Sequence, residues 1–241
     1  MTILHGLFGS GRNWNTVARR LAEQARVLVP DLRNHGASPH AATMTYPAMA
    51  ADVRALLDRQ GIERSDMIGH SMGGKAAMYL ALTEPRRIDR LVVVDIAPVR
   101  YDHGFHGLIR ILRQLPLEHV TGRAEADEWL APQIFEPALR QFLLQNLVWR
   151  GDRYLWRINL DVIEQAMPDL MGFPDADGLR PFRGPVLFIA GERSSYVLPE
   201  HSIAIERLFP RAAIERLRGA GHWLHSEQPE QFLSIVQRFL Q

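Results

Sequence analysis

The sequence contains no cysteine. Disulfides, thiolate nucleophiles and cysteine-ligated metals are therefore excluded. Lysine is nearly absent too: Lys75 stands alone among basic residues that are otherwise arginine. Acidic and basic side chains almost balance, at a net charge of +1, and no basic tract occurs, so the charge gives no case for nucleic acid as a partner. No apolar run approaches the ~20 residues of a membrane-spanning helix. The N-terminus has neither a basic leader nor a long apolar segment, so no signal peptide is visible, and a cytoplasmic protein without a membrane span is the expectation. Internal repeats and low-complexity linkers are missing as well.

What is present points to an enzyme. A hydrophobic share of 46% over 241 positions is enough for the core of one α/β domain with an insertion. The stretch Ile68-Gly69-His70-Ser71-Met72-Gly73-Gly74 follows a short hydrophobic run and precedes a helical pattern from Lys75 to Thr83. Strand, tight turn and helix, with serine at the apex, make a G-x-S-x-G nucleophile elbow. Gly69 and Gly73 give the room that a strained non-glycine residue needs. Ser71 is then lifted clear of the backbone at the C-terminal edge of a parallel sheet. The next amide, Met72 N–H, points into the same space from a helix N-terminus.

Thr2-Ile3-Leu4 reads as the end of a buried strand that runs into the glycine-rich loop His5 to Gly11. That loop supplies the second half of an oxyanion hole, through Leu7 N–H, or through Phe8 N–H if the turn is shifted by one. Val27–Val29 reads as the next strand, leading into a polar loop, Asp31 to Ser38, with an internal Asp31/Arg33 pair and His35 as bracing. A helix is predicted over Tyr46–Arg59, from apolar residues spaced three and four apart. Leu91-Val92-Val93-Val94 has the unbroken β-branched pattern of a parallel strand covered on both faces, and Asp95 ends it.

From residue 99 to 178 the strand–helix alternation stops. This segment reads as a helical cap whose aromatics, Trp156 among them, either line an apolar acyl pocket or fill the cap's own core. His103 and His106 open it, and Arg150, Arg153 and Arg157 mark a solvated face. Residues 1–98 and 179–241 form the core domain. The alternation resumes at Pro185–Ala190, and after a final strand comes the loop Gly219-Ala220-Gly221-His222-Trp223. A serine needs a base, and a base needs a group to fix its tautomer. Of ten histidines, His222 is the best base, because its loop can reach the C-terminal edge of the sheet. His70, next to Ser71, directs its ring away from the hydroxyl and reads as structural or as a wall for substrate. His225 reads as loop bracing.

His5-Gly6, Asp31-x-Arg33-x-x-Gly36-x-Ser38, Gly69-His70-Ser71-Met72-Gly73-Gly74 and Gly221-His222-Trp223 occur in the order and at the intervals of the α/β-hydrolase superfamily, which the chain resembles over nearly its whole length. The resemblance implies an α/β fold with a mainly parallel sheet, about six strands here because the two that open the family's sheet are missing. Either the start lies upstream, or the Val27–Val29 strand is an edge that a partner chain covers, as in a homodimer. In that superfamily the acid follows the strand after the cap, in G-x-x-D-x-x-V. The corresponding run here is Gly191-Glu192-Arg193-Ser194-Ser195-Tyr196-Val197, with Ser194 where the acid belongs. Val94-Asp95-Ile96-Ala97-Pro98, taken with the elbow, is similar to the YbfF-type acyl esterases, and that similarity implies Asp95 as the acid. Glu192 is the rival.

The resemblance thus implies hydrolysis of a small-molecule ester or thioester through an acyl-enzyme, with Ser71, His222 and Asp95 as triad and Leu7 and Met72 as oxyanion donors. Phe8, His70, Trp156 and Trp223 are the expected substrate contacts. No cofactor and no metal are implied. The alternatives are a carbon–carbon bond hydrolase with the same triad and a non-catalytic binding protein on the same scaffold.

Overall fold

The computed structural model describes residues 1–102 and 104–241; His103 lies outside the described residues. The strands are β1 (Thr2–Leu4), β2 (Ser65–His70), β3 (Ile88–Val94), β4 (Leu147–Arg150), β5 (Arg153–Trp156), β6 (Val186–Gly191) and β7 (Ala212–Leu217). The helices up to the cap are α1 (Asn15–Leu21), α2 (Tyr46–Arg59) and α3 (Met72–Thr83). Those of the cap are α4 (His106–Gln114), α5 (Arg123–Leu130), α6 (Pro137–Leu144), α7 (Leu160–Gln165) and α8 (Met167–Met171). After it come α9 (Ser202–Leu208), α10 (Leu224–Glu227) and α11 (Pro229–Leu240).

Five strands, in the order β1-β2-β3-β6-β7, form one parallel sheet. Both faces are buried, and the alternation of side chains shows it. Leu91 and Val93 of β3 join one apolar cluster with Phe188 and the residues of α2 and α3. Val92 and Val94 join a second, with Trp14, Val17, Phe232 and Val236 from α1, α11 and the turn before α1. An unbroken apolar run is what a strand needs when helices cover it on both sides.

The expected strand at Val27–Val29 is reduced to one bridge, between Leu28 and Thr2. Leu28 N–H donates to Met1 C=O at 2.9 Å and Ile3 N–H to Leu28 C=O at 2.8 Å. Pro30 then has no N–H with which to extend the ladder. The polar loop is also wired differently from its expected internal pair. Arg33 pairs with Asp52 of α2 at 2.7 Å, while Asp31 accepts the backbone N–H groups of Gly11 and Ala37.

The cap segment is not wholly helical. β4 and β5 form an antiparallel hairpin closed at Gly151, which has φ +72°. Trp149 faces Tyr154 across it with ring centroids 5.1 Å apart, the kind of aromatic pair that stabilises two short strands. Arg150 and Arg153 lie exposed on this hairpin rather than on a helix face.

Both stems of the cap are held by one side chain. Lys75 of α3 is buried, and its ammonium donates to Val99 C=O at 2.8 Å, where the chain enters the cap, and to Met171 C=O at 3.1 Å and Gly172 C=O, where it leaves. The rings of Tyr101 and Tyr46 lie 4.7 and 5.7 Å from the same nitrogen.

Candidate active site

The elbow forms because its neighbours have no side chains. A Cβ on Gly69 would come within 2.5 Å of Gly73 C=O, and one on Gly73 within 2.6 Å of both Leu4 and His5 C=O. With that space free, Ser71 sits at φ +50°, ψ −117° as the residue before α3, its N–H bonded to Val94 C=O at 2.9 Å. A non-glycine residue in that region is strained, and such strain concentrates at functional sites. Met72 N–H opens α3 and is one of the donors a helix leaves unpaired at its N-terminus.

The glycine-rich loop turns tightly, with Gly9 N–H on Gly6 C=O at 3.0 Å and Phe8 at φ +60°. Phe8 N–H is committed to His35 Nε2 at 3.1 Å. Of the two oxyanion donors considered for this loop, Leu7 N–H is the one left. Leu7, Ser71 and Met72 line one cavity of about 60 Å³ between core and cap.

His222 stands on the loop after β7. Glu227 grips that loop on both sides of it, accepting from Gly221 N–H at 2.8 Å and Trp223 N–H at 3.2 Å. The ring is stacked on Tyr196, with centroids 4.2 Å apart. His222 Nδ1 lies 2.7 Å from Asp95 Oδ2. An ionised carboxylate can only accept, so Nδ1 is the donor in this hydrogen bond. Ser71 and His222 share the cavity wall without a direct hydrogen bond, a contact that commonly tightens only with substrate.

Asp95 is fully buried at φ +51°, a second strained position, and its carboxylate is saturated with donors. Gly191 N–H reaches Oδ1 at 2.9 Å, and the Ser194 hydroxyl donates to Oδ2 beside His222. Ser194 thus stands where the G-x-x-D-x-x-V pattern has its acid, and it bonds the Asp95 carboxylate at the end of β3. The rival Glu192 is turned away and accepts from Gly219 N–H at 2.8 Å.

The neighbouring histidines are neutral. His70 donates from Nε2 to His222 C=O at 2.9 Å, and burial, helped by the nearby His222 and His225, holds it well below the ordinary imidazole range. His225 stacks on Trp14 at 4.1 Å, and burial pulls it down to about 3. His106 is exposed at the start of α4.

Of the expected substrate contacts, Phe8, His70 and Trp223 line the 60 Å³ cavity. Trp156 does not. It lies on β5 and spends its indole N–H on Leu112 C=O at 2.9 Å, which makes it a strut between the hairpin and α4. Tyr101 and Phe105 are the cap-segment aromatics that reach the cavity. A wider groove of about 560 Å³ runs along the other side of His70 and His222, between Trp223 and the cap residues Phe142 and Gln145. Residue spacing gave no sign of Glu227 or Tyr196 as supports of His222, because they meet it only in the folded chain. Ser194 was legible as a missing acid, but not as a donor. Among the described residues, no group of three or more His, Asp or Glu side chains is placed to hold a metal ion, and no helix is long and apolar enough to cross a membrane.

Comparison with known proteins gives the family. The model of the alpha/beta hydrolase fold family matches residues 1–229. An sn-1-specific diacylglycerol lipase, ABHD11, from Xenopus laevis is 45% identical, covering 100% of this chain and 79% of its own. Esterase YbfF from Escherichia coli K12 is 36% identical, covering 100% and 92%. Among solved structures, a marine microorganism esterase superposes with a TM-score of 0.95 at 37% identity, covering 99% of this chain and 94% of its own.

Proposed function

Because the chain belongs to the α/β-hydrolase fold family and is a carboxylic ester hydrolase, we propose that it works through an acyl-enzyme on Ser71, with His222 as base and Asp95 as its partner. One observation carries this reading. A histidine Nδ1 bonded to a buried carboxylate stands at the rim of the cavity that holds the elbow serine.

Ser71 Oγ attacks the ester carbonyl while His222 Nε2 takes its proton. The tetrahedral oxygen receives Met72 N–H and Leu7 N–H. Asp95 stabilises the imidazolium that forms. The intermediate collapses as His222 returns the proton to the leaving alkoxide. Water then attacks the acyl-serine with His222 as base again, and His222 returns that proton to Ser71 Oγ as the carboxylic acid leaves.

The cavity beside Ser71 is small, about 60 Å³. It is lined by Phe8, Met72, Ile96 and Leu108, so it suits a short apolar acyl group. The groove beyond His222 is wide and mixed in polarity, which suits a larger alcohol or thiol portion. The carbonyl chemistry is the same for an oxygen ester and a thioester.

The test is a panel of p-nitrophenyl esters from acetate to palmitate, with acyl-CoAs alongside, and a fluorophosphonate probe. Short esters should give the highest kcat/KM. Ser71→Ala should abolish labelling and lower kcat on the order of 10⁶-fold, as should His222→Ala. Hydrolysis surviving in Ser71→Ala would discard the acyl-serine.

A further inference from the structure

The oxyanion loop is held from two sides by residues that the mechanism above does not use. From the core, His35 Nε2 accepts Phe8 N–H at 3.1 Å, while its Nδ1–H donates to Arg33 C=O at 3.0 Å. From the cap, Asn146 Nδ2 donates to Phe8 C=O at 2.7 Å. His35 and Asn146 are both buried, 0% and 3% exposed. The second hydrogen of the same Asn146 amide goes to Leu143 C=O at 3.2 Å, within the cap, so its two hydrogens join cap to core. Next to it, Asn13 Nδ2 donates to Gln145 Oε1 at 2.7 Å, and the Phe8 ring meets Phe105 edge-on at 5.7 Å.

Phe8 needs this hold. At φ +60° a phenylalanine pays a steric penalty that glycine would not. Released, it would relax to negative φ, and the peptide between Leu7 and Phe8 would turn. The direction of the preceding Leu7 N–H depends on that turn. The clamp therefore acts one residue away from the proposed donor.

We propose that Asn146 is a positioning residue for the hydrolysis: by bonding Phe8 C=O from the cap, it holds the turn that presents Leu7 N–H, so the oxyanion hole is complete only while the cap is docked. This rests on the reading of Leu7 N–H as an oxyanion donor to an intermediate on Ser71. Burial, with His5 close by, pulls His35 down to about 3, which keeps its Nε2 available as an acceptor at neutral pH. The core side of the clamp is thereby constant, and the cap side is the one that docking can make or break.

The experiment compares wild type with Asn146→Leu, which keeps the branching at Cγ and loses the donor. Asn146→Ser, polar but too short to reach Phe8, serves equally should the leucine variant not fold. Four quantities are read: kcat and KM for p-nitrophenyl butyrate, affinity for a trifluoromethyl ketone that forms an oxyanion on serine, and affinity for the matching ether, which forms none. A donor is worth about 10²–10³ in kcat, and a displaced one loses part of that. The variant should lose about 10- to 100-fold in kcat with KM within about threefold, and the ketone should weaken by the same factor while the ether is unchanged. A kcat within threefold of wild type overturns the proposal, as does equal weakening of ketone and ether, which is what a merely loosened cap would give. Ser71→Ala separates the two levels. If it stays active, the acyl-serine reading fails and the proposal with it; if it is dead while Asn146→Leu retains its kcat, only the clamp is wrong.

Discussion

His222 Nδ1 lies 2.7 Å from Asp95 Oδ2, although 127 residues of chain separate the two. The carboxylate comes from the end of β3, immediately beside the elbow strand, and not from the loop after β6. Asp95→Asn should keep the geometry and favour the wrong imidazole tautomer, costing on the order of 10⁴ in kcat. Glu192→Gln should stay within about threefold, because Glu192 is spent on the Gly219 turn. Ser194→Ala should cost about tenfold or less, since Gly191 N–H and His222 still hold Asp95. Steady-state kinetics on one short ester measures all three; an inactive Glu192→Gln beside an active Asp95→Asn would reverse the assignment.

Glu227 bonds the amides on either side of His222. Glu227→Ala should free that loop and lower kcat by about 10- to 100-fold, the scale of a misplaced catalytic group, with little change in thermal stability. A drop in Tm without a drop in kcat would mean that Glu227 only supports the fold.

Lys75 satisfies three carbonyls from the two cap stems, and Tyr101 N–H bonds Met171 C=O at 2.9 Å across the same junction. Lys75→Met should speed amide hydrogen exchange at Tyr101 well before the sheet is affected. Burial, with the Arg100 guanidinium adding to it, pulls Lys75 from 10.5 down to about 7. Between those values the unfolded chain holds a proton that the folded chain has lost, so this group's contribution to stability rises as pH increases from about 7 to 10.5 and is flat below. The Tm of wild type minus that of Lys75→Met should follow the same rise. A pH-independent difference would show that the buried lysine does not titrate in that window.

His35 and His225 are pulled down to about 3 by burial, and His5 and His70 are lowered for the same reason. Their folded values lie below the unfolded 6.5, so the stability they contribute is complete above pH 6.5 and is lost as pH falls toward 3. Each contributes a slope of up to about 1.4 kcal/mol per pH unit. Urea titrations at pH 7.5, 6 and 5 should show a steep loss of stability. An equal midpoint at pH 7.5 and pH 5 would mean that these rings are protonated in the folded protein.

The parts of the site that were legible in the sequence are those whose physics is local. Gly69, Ser71 and Gly73 specify the elbow because the steric limits on a tight turn involve only neighbouring residues. The both-faces-buried character of β3 shows in Leu91–Val94 for the same reason, and His222 is marked by the glycines around it. The hairpin in the cap does not show in the sequence because its strands, Leu147–Arg150 and Arg153–Trp156, are too short to show a period.

Local sequence thus determined the elbow with Ser71 at its apex, the glycine-rich loops that carry Leu7 and His222, and the parallel α/β architecture. Tertiary structure decided which carboxylate meets His222, which amide of the loop stays free, and what holds the cap. Asp95 and Glu192 are both carboxylates that the sequence places near the C-terminal edge of the sheet. What separates them is the order of strands in the sheet, which sets β3 beside β2 and lets Asp95 and Ser194 meet at one imidazole. Phe8 N–H and Leu7 N–H are equivalent until His35 takes one of them. Choices of this kind depend on distances across the fold, and a chain read in one dimension does not contain those distances.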